Sequence, residues 1–237
     1  MTSTNVYGQP VGSALEGWAP RERPTGGVLT GRYCRLERLD GAVHGPALVA
    51  AHRGDDGAQW TYLPIGPFDD ERDLRAWIDD AAGHDDPLHY AVIDAATGTA
   101  VGSLALLRQD PGNGVVEVGW VTYSPLLRRT RASTEAQYLL MCHVFDDLGY
   151  RRYEWKCDAL NAPSRAAAAR LGFTYEGTFR QAVVYKGRSR DTAWFSLLDH
   201  EWPQVRAGFE AWLDPTNFDA EGAQRTPLEV RGSAERR

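Results

Sequence analysis

Apolar and polar positions change period several times along this chain, and the changes mark its elements. After Gly31 the run RYCRLERL alternates, with Cys34 and Leu36 on one face and Tyr33, Arg35 and Glu37 on the other, which predicts a strand. A helical segment is expected within 41–52. A second begins near Asp69, where acids fill the first turn and Leu74, Trp77 and Ile78 recur at i, i+3, i+4. Between them lies an aromatic, turn-rich loop over 60–68 (WTYLPIGPF), either a folded-over core cover or a pocket wall. Strand-like runs follow at 88–94, 100–109 and 115–123, joined by short turns that favour an antiparallel meander.

The longest helical signal covers 132–149, with Ala136, Leu139, Leu140, Val144 and Leu148 on one stripe, Thr134 and Gln137 spaced as a capping box, and Gly149 as a stop. The next strand, 152–158 (RYEWKCD), follows a helical crossover and is therefore expected to run parallel to 115–123. A short helix opens at Asn161-Ala162-Pro163-Ser164 and ends at Leu171-Gly172. Alternation returns over 173–185 and 192–202, and a helix is expected near 203–213. Residues 1–30 read as an extended arm, 31–213 as one domain, and 214–237 as a polar tail expected to be disordered.

Composition narrows the function. A net charge of −6 over 237 residues leaves no basic surface for general nucleic-acid binding. Three cysteines, Cys34, Cys142 and Cys157, show neither a CxxC nor a Cys/His metal spacing, so a reduced, cytoplasmic chain without a metal is expected. The six histidines form no HExxH-like pattern. The amino terminus has no basic stretch leading into an apolar core, and no run of about 18 apolar residues occurs, so neither secretion nor a membrane span is expected.

Two local features suggest ligand chemistry. Gly119 interrupts the 115–123 strand, where glycine marks a bulge or a close approach by another group. The loop SPLLRRTRAST places Arg128, Arg129 and Arg131 directly before a helix, whose first N–H groups and dipole favour phosphate. A solvated basic turn would look the same.

The segment resembles the acyl-CoA-binding region of the GNAT N-acyltransferases, in particular their RimJ/RimL-like branch. Arg128-x-x-Arg131-x-Ser133 stands where that family has Arg/Gln-x-x-Gly-x-Gly/Ala, so two small residues are replaced. Asn161-x-x-Ser164, then Arg170-Leu171-Gly172-Phe173 and Glu176-Gly177, is similar to the family's Asn-x-x-Ser, Leu-Gly-Phe and Glu-Gly pattern and is the more specific match. Asp191, Ser196-Leu197 and Glu201-Trp202 resemble the branch's closing portion.

The resemblance implies an α/β (α+β) GNAT fold: a mixed, mostly antiparallel sheet of about seven strands, the fourth and fifth splayed, flanked by helices. It implies acetyl-CoA or another acyl-CoA as co-substrate and a primary amine, on a small molecule or a protein N-terminus, as acceptor, in a monomer or homodimer. Pantetheine would pair with the backbone of Val118, Gly119, Trp120 and Val121. The pyrophosphate would sit on Arg128, Arg129, Arg131, Ala132, Ser133 and Thr134. Glu117 would be the general base, with Ser164 near the departing sulfur and Asn161 a cap or a pantetheine contact. Tyr175 and Tyr185 are alternative acids. A succinyl-type donor read by an arginine such as Arg180, or a non-catalytic CoA-binding module, are the alternatives on the same fold.

Overall fold

The computed structural model describes residues 3–230. A small exposed hairpin, β1 (Ser3–Thr4) with β2 (Pro10–Val11), precedes one large sheet. The sheet comprises β3 (Leu29–Thr30), β4 (Cys34–Arg38), β5 (Leu88–Asp94), β6 (Ala100–Asp110), β7 (Val115–Tyr123), β8 (Arg152–Asp158), β9 (Thr174–Tyr185) and β10 (Arg188–Leu198). Its spatial order is β3-β4-β5-β6-β7-β8-β10-β9, eight strands where the sequence suggested about seven. The extra strand, β3, is two residues long and pairs Leu29 with Leu36 and Thr30 with Arg35. Every neighbouring pair is antiparallel except β7 and β8, which the helical crossover makes parallel.

Five helices flank the sheet: α1 (Gly41–Ala51), α2 (Glu71–Ala82), α3 (Arg131–Cys142), α4 (Ala162–Arg170) and α5 (Trp202–Leu213). The main core joins Leu36, Tyr90, Leu104, Val116, Val118, Tyr153, Trp155 and Phe195 on one sheet face to Ala136, Leu140 and Met141 of α3, Ala168 of α4 and Phe209 of α5. On the opposite face a smaller core packs Leu48 and Val49 of α1 and Leu74 and Ile78 of α2 against Ala91 and Ile93 of β5 and Ala100 of β6. That apolar layer stops at β6. Across β7, β8 and β10 the same face is lined by Glu117, Glu154, Lys156, Trp194 and Ser196.

Two expectations change at α3. The helix is capped by Thr130, whose hydroxyl accepts from Ser133 N–H at 3.2 Å, four residues before the Thr134 expected to start a capping box. Thr134 is buried in the helix and accepts from Arg170 Nη1 instead. The α-helix also ends at Cys142, and His143–Asp147 continue as a π-turn up to Gly149, whose φ of 63° closes the segment.

Both termini are drawn onto the domain. In the arm, Trp18 Nε1 donates to Gly112 O at 3.0 Å, and Tyr150 Oη donates to Glu22 O. The polar tail expected to be disordered is instead folded from 214 to 230, the remainder lying outside the described residues. Its few apolar side chains explain this: Phe218 is buried edge-on against Trp212 and Tyr33, and Val230 is buried beside Gly172 and Gly208. Gln224 accepts from Trp212 Nε1 at 2.8 Å.

Candidate active site

The parallel pair β7–β8 is in register for four residues, Val115 to Val118 against Arg152 to Trp155, and β8 takes no pairing from β7 beyond Val118. The gap therefore begins at Gly119, one residue later than the Val118 expected, and Val118 belongs to the closed part of the sheet. Its cause is visible on the other side of β7. Ser103 pairs with Thr122 and Ala105 with Gly119, so Trp120 and Val121 together oppose Leu104 in a β-bulge. The left-handed backbone sits on Trp120 (φ 50°), not on Gly119. A bulky residue held at positive φ is strained, and here the bulge reverses the alternation and sends its indole to the face of Gly119. There it meets Trp77 and His89 at ring-centre distances of 6.4 and 6.1 Å.

Aromatic rings continue from that point through Phe68 to Trp60 and His52. The 60–68 loop thus does two things the sequence left open. Trp60 is a core side chain of the α1–α2 layer, while its carbonyl accepts from Lys186 Nζ (2.6 Å) at the tip of the β9–β10 hairpin. Loop and hairpin meet on the side of the sheet where β7 and β8 part.

Glu117 lies on the charged face, two residues before the gap that begins at Gly119. Its Oε2 is 2.9 Å from Lys156 Nζ and 3.3 Å from Arg108 Nε. Lys156 Nζ is also 2.8 Å from Glu154 Oε2 and 3.5 Å from the centre of the Trp194 ring. These are ion pairs by distance; neither Glu117 Oε2 nor the ammonium makes an aligned hydrogen bond among the described residues. Burial raises the Glu117 pKa above the usual carboxylate range, against opposition from Lys156 and Arg108. For Glu154, burial acts the same way but is outweighed by the Lys156 ammonium and the Arg152 guanidinium beside it, and its pKa is lowered. Arg152 extends the row to Glu176, at 2.8 and 2.6 Å. The remaining oxygen of Glu117, Oε1, lies 3.7 Å from where a Cβ on Gly119 would be, facing the start of the gap.

Ser164 and Asn161 lie on the opposite face. Asn161 Oδ1 accepts from Ser164 N–H at 3.1 Å and caps α4. The Ser164 hydroxyl accepts from Trp155 Nε1 at 3.0 Å and keeps its own hydrogen to donate, with the Cys157 thiol as a neighbouring hydrogen-bond partner. Glu117 and Ser164 thus flank β7–β8 from two sides rather than sharing one wall. Cys157, on the face of Trp155, is buried, and burial pushes its thiol pKa up, which disfavours a nucleophilic thiolate. Tyr185 Oη donates to Asp158 Oδ2 at 2.8 Å, and its partial burial and that carboxylate push its pKa up to about 12. Tyr175 is half exposed and bonded to Thr178, and Arg180 is exposed on the outer strand β9.

The arginines of the 128–134 loop have separate fates. Arg131 turns back to lie over Tyr33 and Phe218, 4.7 and 4.8 Å from their ring centres, so its guanidinium does not enter the loop. Arg128 is paired at 2.7 Å with Asp55, a buried carboxylate that also receives Gly57 N–H and Gln59 Nε2. Arg129, left-handed at φ 62°, has no side-chain partner among the described residues. The first N–H groups of α3, on Arg131 and Ala132, have no intrahelical acceptor, whereas that of Ser133 is taken by Thr130. The donors placed for an anion are therefore one guanidinium and the helix start.

Lys156, Arg108, Glu154 and Trp194 were not singled out from the sequence. A signal existed for Lys156: it is one of two lysines in the chain and sits in an interior strand, where a cation must be paired. Arg108 gave none, because alternation places it on the face of Leu106.

Among the described residues no group of three or more His, Cys, Asp or Glu side chains is placed to hold a metal, and no helix is long and apolar enough to cross a membrane. A family profile described as an acetyltransferase (GNAT) domain matches residues 35–174. The crystal structure of a GCN5-related N-acetyltransferase from Brucella melitensis is 50% identical, covers 90% of this chain and 97% of its own, and superposes with a TM-score of 0.88. An uncharacterized N-acetyltransferase, p20, of Bacillus licheniformis is 31% identical over 177 residues, 73% of this chain and 94% of that protein. A Salmonella typhimurium acetyltransferase described as modifying the N-terminal serine of ribosomal protein L7/L12 is 20% identical, covers 73% of this chain and 99% of its own, and with a TM-score of 0.61 shares the fold.

Proposed function

The chain belongs to the GNAT acetyltransferase family, and on that premise we propose that it transfers an acetyl or other short acyl group from acyl-CoA to a primary amine, in the manner of the RimJ/RimL-like branch. The observation that carries this reading is the placement of Glu117: one carboxylate oxygen is pinned by Lys156 and the other faces the point where β7 and β8 part. Bound acyl-CoA supplies the activated thioester carbon. The chain's residues supply the rest.

The unpaired edge of β7 from Gly119 to Val121 offers amide partners to an extended ligand, as a sheet edge does to a peptide strand. Arg129 and the first-turn N–H groups of α3 take the pyrophosphate. As the amine nitrogen bonds to the acyl carbon and the carbon–sulfur bond breaks, Glu117 takes the proton the amine must lose. Lys156 favours its ionised form, while burial makes it a stronger base than a solvated carboxylate. The Ser164 hydroxyl is the proton source for the sulfur.

The acceptor is a small amine or a protein N-terminus. A fold neighbour described as acting on a ribosomal protein bears on the second choice. The test is thiol release from acetyl-CoA with a panel of primary amines and peptides, run beside succinyl-CoA. Turnover with acetyl-CoA supports the reading; succinyl-CoA winning the competition reassigns the donor, and tight CoA binding without turnover on any amine leaves a binding module.

A further inference from the structure

Arg108 sits where ordinary strand alternation would not put it. Leu106 is buried in the main core and Leu107 touches the position a Cβ on Gly119 would take, so the next side chain belongs on the α3 face. A second bulge prevents this. Leu107 pairs with Glu117 and Asp110 with Val115, so Arg108 and Gln109 together oppose Val116, and Arg108 takes φ 52°. Asp86 fastens the bulge, its two oxygens accepting from the N–H groups of Arg108 (2.8 Å) and Gln109 (3.1 Å).

The guanidinium is thereby carried to the charged face. Its Nε reaches Glu117 Oε2 at 3.3 Å, and its carbon lies 5.5 Å from the centre of the Trp194 ring. The side chain is 61% exposed, and neither Nη has a partner among the described residues. Left-handed backbone on a non-glycine residue persists only where its surroundings hold it, and such positions gather at functional sites. Here two lie on adjacent strands, Arg108 and Trp120, on either side of the base proposed above.

Resting on that acyl-transfer reading, we propose that Arg108 is an acceptor-specificity residue, and that the amine substrate carries a carboxylate a few atoms from its nitrogen. The two open Nη groups form the planar fork that a carboxylate matches with paired N–H bonds. Because Nε stays beside Glu117, a carboxylate on the fork brings the same molecule's amine to the base. The face is already balanced, Arg108, Lys156 and Arg152 against Glu117, Glu154 and Glu176. An aminocarboxylate, which brings one charge of each sign, keeps that balance, whereas a simple amine adds an unmatched cation.

The experiment compares kcat/KM with acetyl-CoA for two matched acceptor pairs on the full chain. One pair is 4-aminobutyrate and 4-aminobutanamide. The other is two amidated peptides differing only by aspartate or asparagine at the second position, so the two arms separate a small acceptor from a protein N-terminus. The carboxylate member of one pair is expected to win by about 10-fold or more. Arg108→Met should bring that ratio close to 1 and Arg108→Lys should keep part of it; a ratio cancels any general loss of activity or folding. No carboxylate preference in either arm, or a preference that survives Arg108→Met, overturns the proposal. If no acceptor turns over, the acyl-transfer reading fails by itself. Tryptophan fluorescence of the CoA-loaded protein, titrated with the first pair, then decides: a change seen with 4-aminobutyrate, absent with its amide and lost in Arg108→Met, supports the fork, and no such change overturns it.

Discussion

Glu117 and Lys156 face each other across the one parallel pair of the sheet, Oε2 to Nζ 2.9 Å, with side chains only 9% and 7% exposed. The pair joins a strand predicted to carry a catalytic carboxylate to a cation that no motif marked. Two buried charges are costly to isolate, and removing one strands the other.

Replacing Glu117 by Gln is expected to lower kcat by about 100-fold or more and to remove the acidic limb of its pH profile. The sign follows from its raised pKa: the base acts when deprotonated, so the rate climbs with pH through a value above the ordinary 4.5. Lys156→Met removes the cation that favours the ionised form, so the limb should move to higher pH, with a stability loss of about 3–5 kcal/mol. A profile unmoved in both variants removes Glu117 as the base.

The two loop arginines should separate in one pair of assays. Arg129→Ala is expected to raise the KM for acetyl-CoA about 10-fold, the effect of one charge-assisted bond. Arg131→Ala should register in thermal denaturation instead, by about 1–2 kcal/mol, because its side chain lies between Tyr33 and Phe218. The reverse outcome would return Arg131 to the pyrophosphate.

Glu135 ties α3 to the start of β4. Its carboxylate accepts from the N–H groups of Arg32, Tyr33 and Cys34 at 2.8, 2.6 and 2.7 Å. Glu135→Ala leaves three donors without an acceptor and is expected to cost about 3–5 kcal/mol. A Cβ at Gly31 would come within 2.5 Å of that carboxylate, so Gly31→Ala should also destabilise. The double variant should cost less than the sum in denaturant unfolding.

His89 supplies a pH test of stability. Its Nδ1 has no partner among the described residues, and burial pulls its pKa from 6.5 down to about 4. The folded chain holds it neutral while the unfolded chain protonates it. This contribution is therefore complete above pH 6.5 and drains away as the pH falls through 4, by up to about 3 kcal/mol. His89→Phe keeps a ring against Trp77 and Trp120 and should flatten the curve between those values; an unchanged slope would place the titration elsewhere.

Sequence alone determined the order of elements from β4 onward, because hydrophobic period is a local property. It placed the parallel crossover, the aromatic loop, the Asn161 cap and the Gly-marked break in β7, and its motif match reached the right family. Each of these depends on residues within a few positions of one another. At Arg131 and in the tail, where it erred, the deciding partner was distant. Arg131 is claimed by rings about 100 residues before it and 87 after it, Tyr33 and Phe218, which the alternation of its own loop could not reveal. The polar look of 214–230 hid Phe218 and Val230, whose burial needs α5 and α4 already in place.

The tertiary structure alone decided which side chains share the face of Glu117. A bulge of one residue turns every following side chain over, and two bulges, at Arg108 and Trp120, bring a guanidinium and an indole to a face from which strict alternation would exclude both. Strand register is fixed by pairing between segments, and it is register, set only when the sheet assembles, that makes those two residues neighbours of the carboxylate.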